Sequence, residues 1–244
     1  MALSEHLEEL RGRLIRALVG LAVGWAIALM IGNRLMGWLE YSYVKVMREM
    51  GLGDQLAIQS ISTGMTVYLE VSLVAGVVLA SPWIFYQLWM FVAAGLYPNE
   101  RRIVISAIPF SAGLFAAGTA FFLFVASVPL IRFFAAFNEW LGVRPVIMLK
   151  DHIGFMTRTM LMFGLAFQTP LVVLILSKAG IVSLSALNKY RRHVIVGVLI
   201  FAAVVTSSPS PLDQIMLAIP IWLLYELGVG LSYLMVFRGR KMDE

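Results

Sequence analysis

"IVISAIPFSAGLFAAGTAFFLFVASVPLI", Ile103–Ile131, contains no charged residue, yet Arg101, Arg102 and Arg132 flank it directly. An apolar run of this length bounded by cations reads as a helix crossing a bilayer. The remainder of the chain repeats the pattern. Of 244 residues, 60% are hydrophobic and only 14% charged, whereas soluble domains carry about 25% charged residues. The apolar runs are continuous rather than alternating, which excludes a barrel, and lipid leaves no other way to pair the backbone than a helix.

The fold class is therefore all-α, a polytopic membrane protein of six transmembrane helices. The spans are about 14–36, 65–93, 103–131, 151–176, 194–206 and 212–237, forming one integral membrane domain over 1–244. The last two are short: thirteen residues make up the span ending at Thr206, or roughly 20 Å of helix against a ~30 Å hydrocarbon core. The loop Gly37–Gly64 is long, and "YVKVMREM" reads there as a short interfacial helix. The acidic N-terminus, with no small-residue cleavage site after the first apolar run, gives no sign of a cleavable signal peptide. With no cysteine, disulfide and thiol chemistry are excluded.

Cations set the orientation. Arg11, Arg13, Arg16, Arg101, Arg102, Lys178, Lys189, Arg191, Arg192, Arg238, Arg240 and Lys241 fall on one side, and Arg34, Lys45, Arg48, Arg132, Arg144 and Lys150 on the other. The richer side is cytoplasmic, so both termini are expected there. On that basic face, "SEHLEELRGRLI" (Ser4–Ile15) presents an acidic cluster. Leu3, Leu7, Leu10 and Leu14 form a helical stripe, and Glu9 and Arg13, four apart, can pair. Glu100 follows Pro98 in the first turn of the third helix, on the same face as Glu8 and Glu9. Carboxylates beside Phe91, Tyr97 and apolar helix ends could receive a basic, partly apolar peptide, since carboxylates grip guanidinium groups bidentately. An interfacial anchor with solvated charges is the plainer reading of the same residues.

Five stretches together are more specific. "EHLEELRGRLI", "SPWIFYQLWMFVAAGLYPNERR", "FGLAFQTP", "KYRRHVIVG" and "LAIPIWLLYELG" occur in order and cover nearly the whole chain. The set resembles TatC, the polytopic receptor subunit of the twin-arginine protein translocase. The resemblance implies six helices with both ends cytoplasmic, in a bacterial or archaeal inner membrane. It implies recognition of twin-arginine signal peptides on folded cargo, and oligomeric assembly with single-span TatA- and TatB-like partners. Export is then driven by the proton-motive force, with no cofactor, metal, nucleic acid or catalytic residue involved. By motif, the implied signal-peptide site is Glu9, Arg11, Phe91, Glu100 and Arg102.

The chain departs from that pattern at three places. Gln168 stands where some relatives carry Glu and cannot titrate, so no proton-carrying role is expected of it; it could hydrogen-bond a passing chain or a partner helix, the plainer reading being a helix-to-helix hydrogen bond at the Pro170 kink. "TSSPSPLDQ" lacks the TPPD-like run, and the role of its acid is not carried over to Asp213. Glu70 stands where relatives often have Lys. It and Arg158 enter from the outer side to similar depth, either pairing across their helices or leaving Arg158 to snorkel outward. Across the tight turn between the last two spans, Thr206 and Gln214 offer hydrogen-bond partners either to a docking single-span helix or to each other's helix.

Two other functional classes compete. An enzyme would need a cluster that His6, His152 and His193 cannot supply, since they divide between the two faces. A secondary transporter or ion channel is the stronger alternative, because Glu70, Arg158, Gln168 and Glu226 are polar groups in or near spans. Against it, the sequence has no repeated halves.

Overall fold

A computed structural model of the chain describes residues 3–95, 98–143, 146–178, 182–206 and 211–240. Tyr97 and Arg144 lie outside the described residues. The elements are α1 (Leu3–Glu49), α2 (Thr63–Ala94), α3 (Pro98–Phe121), a π-helical turn (Phe122–Ala126), α4 (Ser127–Trp140), α5 (Leu149–Ala166), α6 (Thr169–Lys178), α7 (Leu184–Lys189), α8 (Arg191–Thr206) and α9 (Pro211–Arg240). The only extended pairing among the described residues is an isolated bridge between Ala57 and Met148. Five stretches are long and apolar enough to cross a bilayer: Leu7–Glu49, Thr63–Ala94, Val104–Trp140, Leu149–Lys178 and Leu217–Leu234. The sixth apolar helix, α8, has 16 residues, roughly 24 Å. Large apolar side chains such as Leu18, Val19, Met30 and Phe124 are exposed, as lipid-facing residues are, because acyl chains are as apolar as leucine.

Three elements differ from the linear reading. "YVKVMREM" is not a separate helix but part of the end of α1, because Leu39, Tyr43, Val46 and Met47 continue one buried face without a break. The third span continues through the π-helical turn into α4. There Ser127 Oγ donates to Leu123 O at 2.8 Å and lies 2.6 Å from Ser42 Oγ, so Ser42 is the donor of that second bond. The fourth span is two helices, interrupted at Phe167 and Gln168. Pro170 lacks the N–H that would continue the ladder.

The chain packs as two compact units. One comprises the residues up to Leu18, Ser81–Ala117 and those from Gly164 onward. In it Ala93, Val104, Ala107, Leu171 and Ile175 form a buried cluster against which Trp89 and Leu114 pack. A second cluster of Val173, Leu187, Tyr225 and Val229 joins α6, α7 and α9. Gly228 lets α9 lie directly on α6, since a Cβ there would stand 2.7 Å from the Pro170 Cα.

The other unit comprises Val19–Ala80 and Gly118–Phe163. Its largest fully buried side chains include Tyr43, Phe122, Phe163, Met47, Ile153 and Met156. Helices α1 and α2 touch backbone to backbone at Gly24 and Gly76: a Cβ on Gly24 would lie 2.6 Å from the Gly76 carbonyl oxygen, and one on Gly76 2.7 Å from Trp25 N and Cα. Outside the helices, Ala57 N donates to Ile147 O and Leu149 N to Ala57 O, at 3.1 and 2.8 Å, tying two loops together. Arg48 Nε donates to Asp54 Oδ2 at 2.7 Å and holds that carboxyl below the usual carboxylate range.

Candidate functional site

Residues 10–17 of α1 and 84–91 near the end of α2 line a half-open apolar cavity of about 180 Å³. Leu10, Leu14 and Ala17 line it from α1, and Ile84, Leu88 and Phe91 from α2, with Gln87 and the stem of Arg13 completing the wall. Of the leucine stripe expected on α1, Leu10 and Leu14 border this cavity, while Leu7 is exposed and does not line it. Beside the cavity, Arg13 donates to Glu9 through Nε at 3.0 Å and Nη2 at 2.5 Å. Both bonds land on Oε1, so the second carboxylate oxygen keeps its acceptor capacity. Glu9 is partly exposed, and Glu8 and Arg11 are exposed. Glu100 and Arg102 lie in the opening turns of α3.

The intramembrane polar residues divide among separate local arrangements. Gln168 Nε2 donates to Ser111 O at 2.9 Å, the helix-to-helix bond expected at the kink. Glu70 Oε1 lies 3.1 Å from Thr157 Oγ1, whose single proton also faces Ile153 O at 2.9 Å. Glu70 and Arg158 both approach Gly154, whose Cβ would stand 3.7 Å from Glu70 Oε1 and 3.9 Å from Arg158 Nη2. The two helices therefore meet around Gly154, with the carboxylate beside Thr157 and Arg158 exposed. Glu226 accepts from Arg191 at 2.9 Å, joining α8 to α9. Thr206 is the last residue of α8, and Gln214 is half-buried near the start of α9.

Sequence reasoning missed Ser111, Trp89 and Thr157 as partners of these groups. Small hydroxyl residues in an apolar run are the available signal, but which polar residue each one meets is set by packing.

Known proteins share this architecture. Residues 5–220 match the family model described as "Sec-independent protein translocase protein (TatC)". The chain belongs to the TatC family. The match takes in every candidate position above except Glu226. The Sec-independent protein translocase protein TatC of Desulforapulum autotrophicum is 35% identical over 93% of this chain and 82% of its own length. TatC of Deinococcus radiodurans is 35% identical over 99% and 88%. TatC of Aquifex aeolicus is 30% identical over the full length of both. A solved structure described as "Crystal Structure of Twin Arginine Translocase Receptor- TatC" superposes with a TM-score of 0.82 at 30% identity, covering 94% of this chain and 98% of that one. TatC membership fits the all-α multi-pass architecture and makes this chain a protein-translocase component. The secondary-transporter and ion-channel reading is not favoured.

Proposed function

We propose that this chain is the signal-peptide receptor and core subunit of a twin-arginine translocase, a receptor without catalytic chemistry. The observation that carries the reading is the pairing of an apolar cavity with the Glu9 carboxylate beside it. A signal peptide needs both: acceptors for its guanidinium groups and an apolar surface for its neighbouring side chains. Glu9, Arg11, Phe91, Glu100 and Arg102 are the residues proposed to meet it. The similar solved structure is that of a twin-arginine translocase receptor, which supports this reading. The cation count supports cytoplasmic termini in a bacterial or archaeal inner membrane, with the spans forming one integral domain. Cargo is then folded protein, moved at the expense of the proton-motive force. The test is direct binding to the chain in nanodiscs of a twin-arginine signal peptide and its Lys-Lys variant. Tighter binding of the Arg-Arg peptide is expected; equal affinity would overturn the receptor reading.

The same reading calls for single-span TatA- and TatB-like partners in an oligomeric complex. Thr206 and Gln214 are the proposed contacts, because helix-to-helix hydrogen bonds hold spans together where the hydrophobic effect cannot. With no native cysteine, Gln214→Cys reports cleanly. A disulfide crosslink to a partner span carrying a cysteine near its outer end is expected, and its absence across a scan of partner positions excludes docking there.

A further inference from the structure

We infer that Gln168 is a positioning residue for the signal-peptide site, acting through Ser111 and Trp89 on the end of α2 that carries Phe91. The inference rests on the receptor reading above. Gln168 sits where α5 stops and α6 begins, and its backbone bonds are local: its N–H donates to Leu165 O at 3.0 Å, and its carbonyl accepts from Val172 N at 2.9 Å. Its side chain instead donates to the Ser111 carbonyl on α3. From the other side, Trp89 Nε1 on α2 donates to Ser111 Oγ at 2.5 Å. Two directional bonds, from α2 and from the α5–α6 break, thus converge on one fully buried serine.

The apolar cluster of Ala93, Val104, Ala107, Leu171 and Ile175, with Trp89 against it, joins α2, α3 and α6 in the same unit. Acyl chains are as apolar as this cluster, so burying its side chains gives no hydrophobic gain that would favour one rotation of the helices. Hydrogen bonds have angular preferences. The Trp89–Ser111–Gln168 bridge therefore selects the rotation of the last turns of α2, and Phe91 is two residues beyond Trp89. An amide suits position 168 because it carries a proton to donate to a carbonyl, whereas an ionised carboxylate there has none.

The test uses the full chain in nanodiscs, a fluorescent twin-arginine peptide with its Lys-Lys control, and amide hydrogen exchange. Gln168→Met keeps length and volume and removes the donor. It is expected to weaken Arg-Arg peptide binding roughly 3- to 15-fold, the value of one intramembrane hydrogen bond, and to speed exchange in residues 89–95. Trp89→Phe, which leaves Gln168 untouched, is expected to do the same, and the double variant to lose little beyond the larger single loss. A merely local structural role would raise exchange only around 165–172. That pattern, unchanged binding, or losses that multiply in the double variant would overturn the inference. If Gln168→Met does not fold, Gln168→Ala, which also removes the donor to the Ser111 carbonyl, carries the same test, and unchanged exchange in 89–95 overturns the inference. Should the unaltered chain fail to prefer Arg-Arg, the receptor reading falls and this inference with it. Should it discriminate while Gln168→Met binds as tightly, only the inference falls.

Discussion

Replacing Gly76 with leucine is expected to separate α1 from α2 and to lower the thermal stability of the purified protein sharply. A Cβ at this position would lie 2.7 Å from Trp25 N and Cα. These are backbone atoms, so no rotamer change relieves the clash, and the helices must move apart. Overpacking of an ordinary core costs about 1–3 kcal/mol, and a clash with rigid backbone belongs at or above the upper end. The loss reaches further than one residue, because close approach at small residues is what holds membrane helices together. Gly113→Ala is the control. Gly113 lies in α3 with open space around its Cβ position, and alanine there is expected to be neutral or to stabilise by a few tenths of a kcal/mol, up to ~1. The check is the melting temperature in detergent together with monodispersity on gel filtration. Wild-type melting of Gly76→Leu would show that the helices are not held at this contact.

The second large effect is expected at Glu9. Glu9→Ala removes an acceptor and at the same time strips Arg13 of its counter-charge, leaving a guanidinium where the cargo's own guanidinium groups arrive. A hydrogen bond to a charged group is worth ~1.5–3 kcal/mol, and a partly exposed site belongs at the low end. The expected loss is about tenfold or more in affinity for the Arg-Arg peptide. Glu100→Ala is expected to lose about tenfold for Arg-Arg and much less for Lys-Lys, because an ammonium lacks the planar fork that a carboxylate grips. The neighbouring substitution has the opposite sign. Arg13→Met keeps an apolar stem on the cavity wall and releases Glu9, so Arg-Arg binding should be kept or improved. Titrations of the labelled peptide decide the matter. If Arg13→Met costs as much as Glu9→Ala, the ion pair itself is the functional unit, and Glu9 is not a reader of arginine.

The all-α, membrane-crossing character of the chain and the pairing of Glu9 with Arg13 were legible in the amino-acid order, because each depends on neighbours in the chain. Apolar length against bilayer thickness is a one-dimensional quantity, and residues four apart on a helix meet whatever surrounds them. The family motifs were legible for the same reason, being short strings in fixed order. Where the first helix ends was not legible. Polar residues in Tyr43–Met50 suggested a separate interfacial piece, but the buried face of Tyr43, Val46 and Met47 carries α1 on to Glu49. The direction of the Gln168 side chain was also open. Its partner Ser111 lies 57 residues away, and a glutamine at a kink has several helices it could reach. The approach of Thr157 to Glu70, the backbone contact at Gly24 and Gly76, and the cavity between α1 and α2 are of the same kind. Each depends on which faces of two distant helices meet. That choice is made by the packing of all the helices together, and only the tertiary structure decided it.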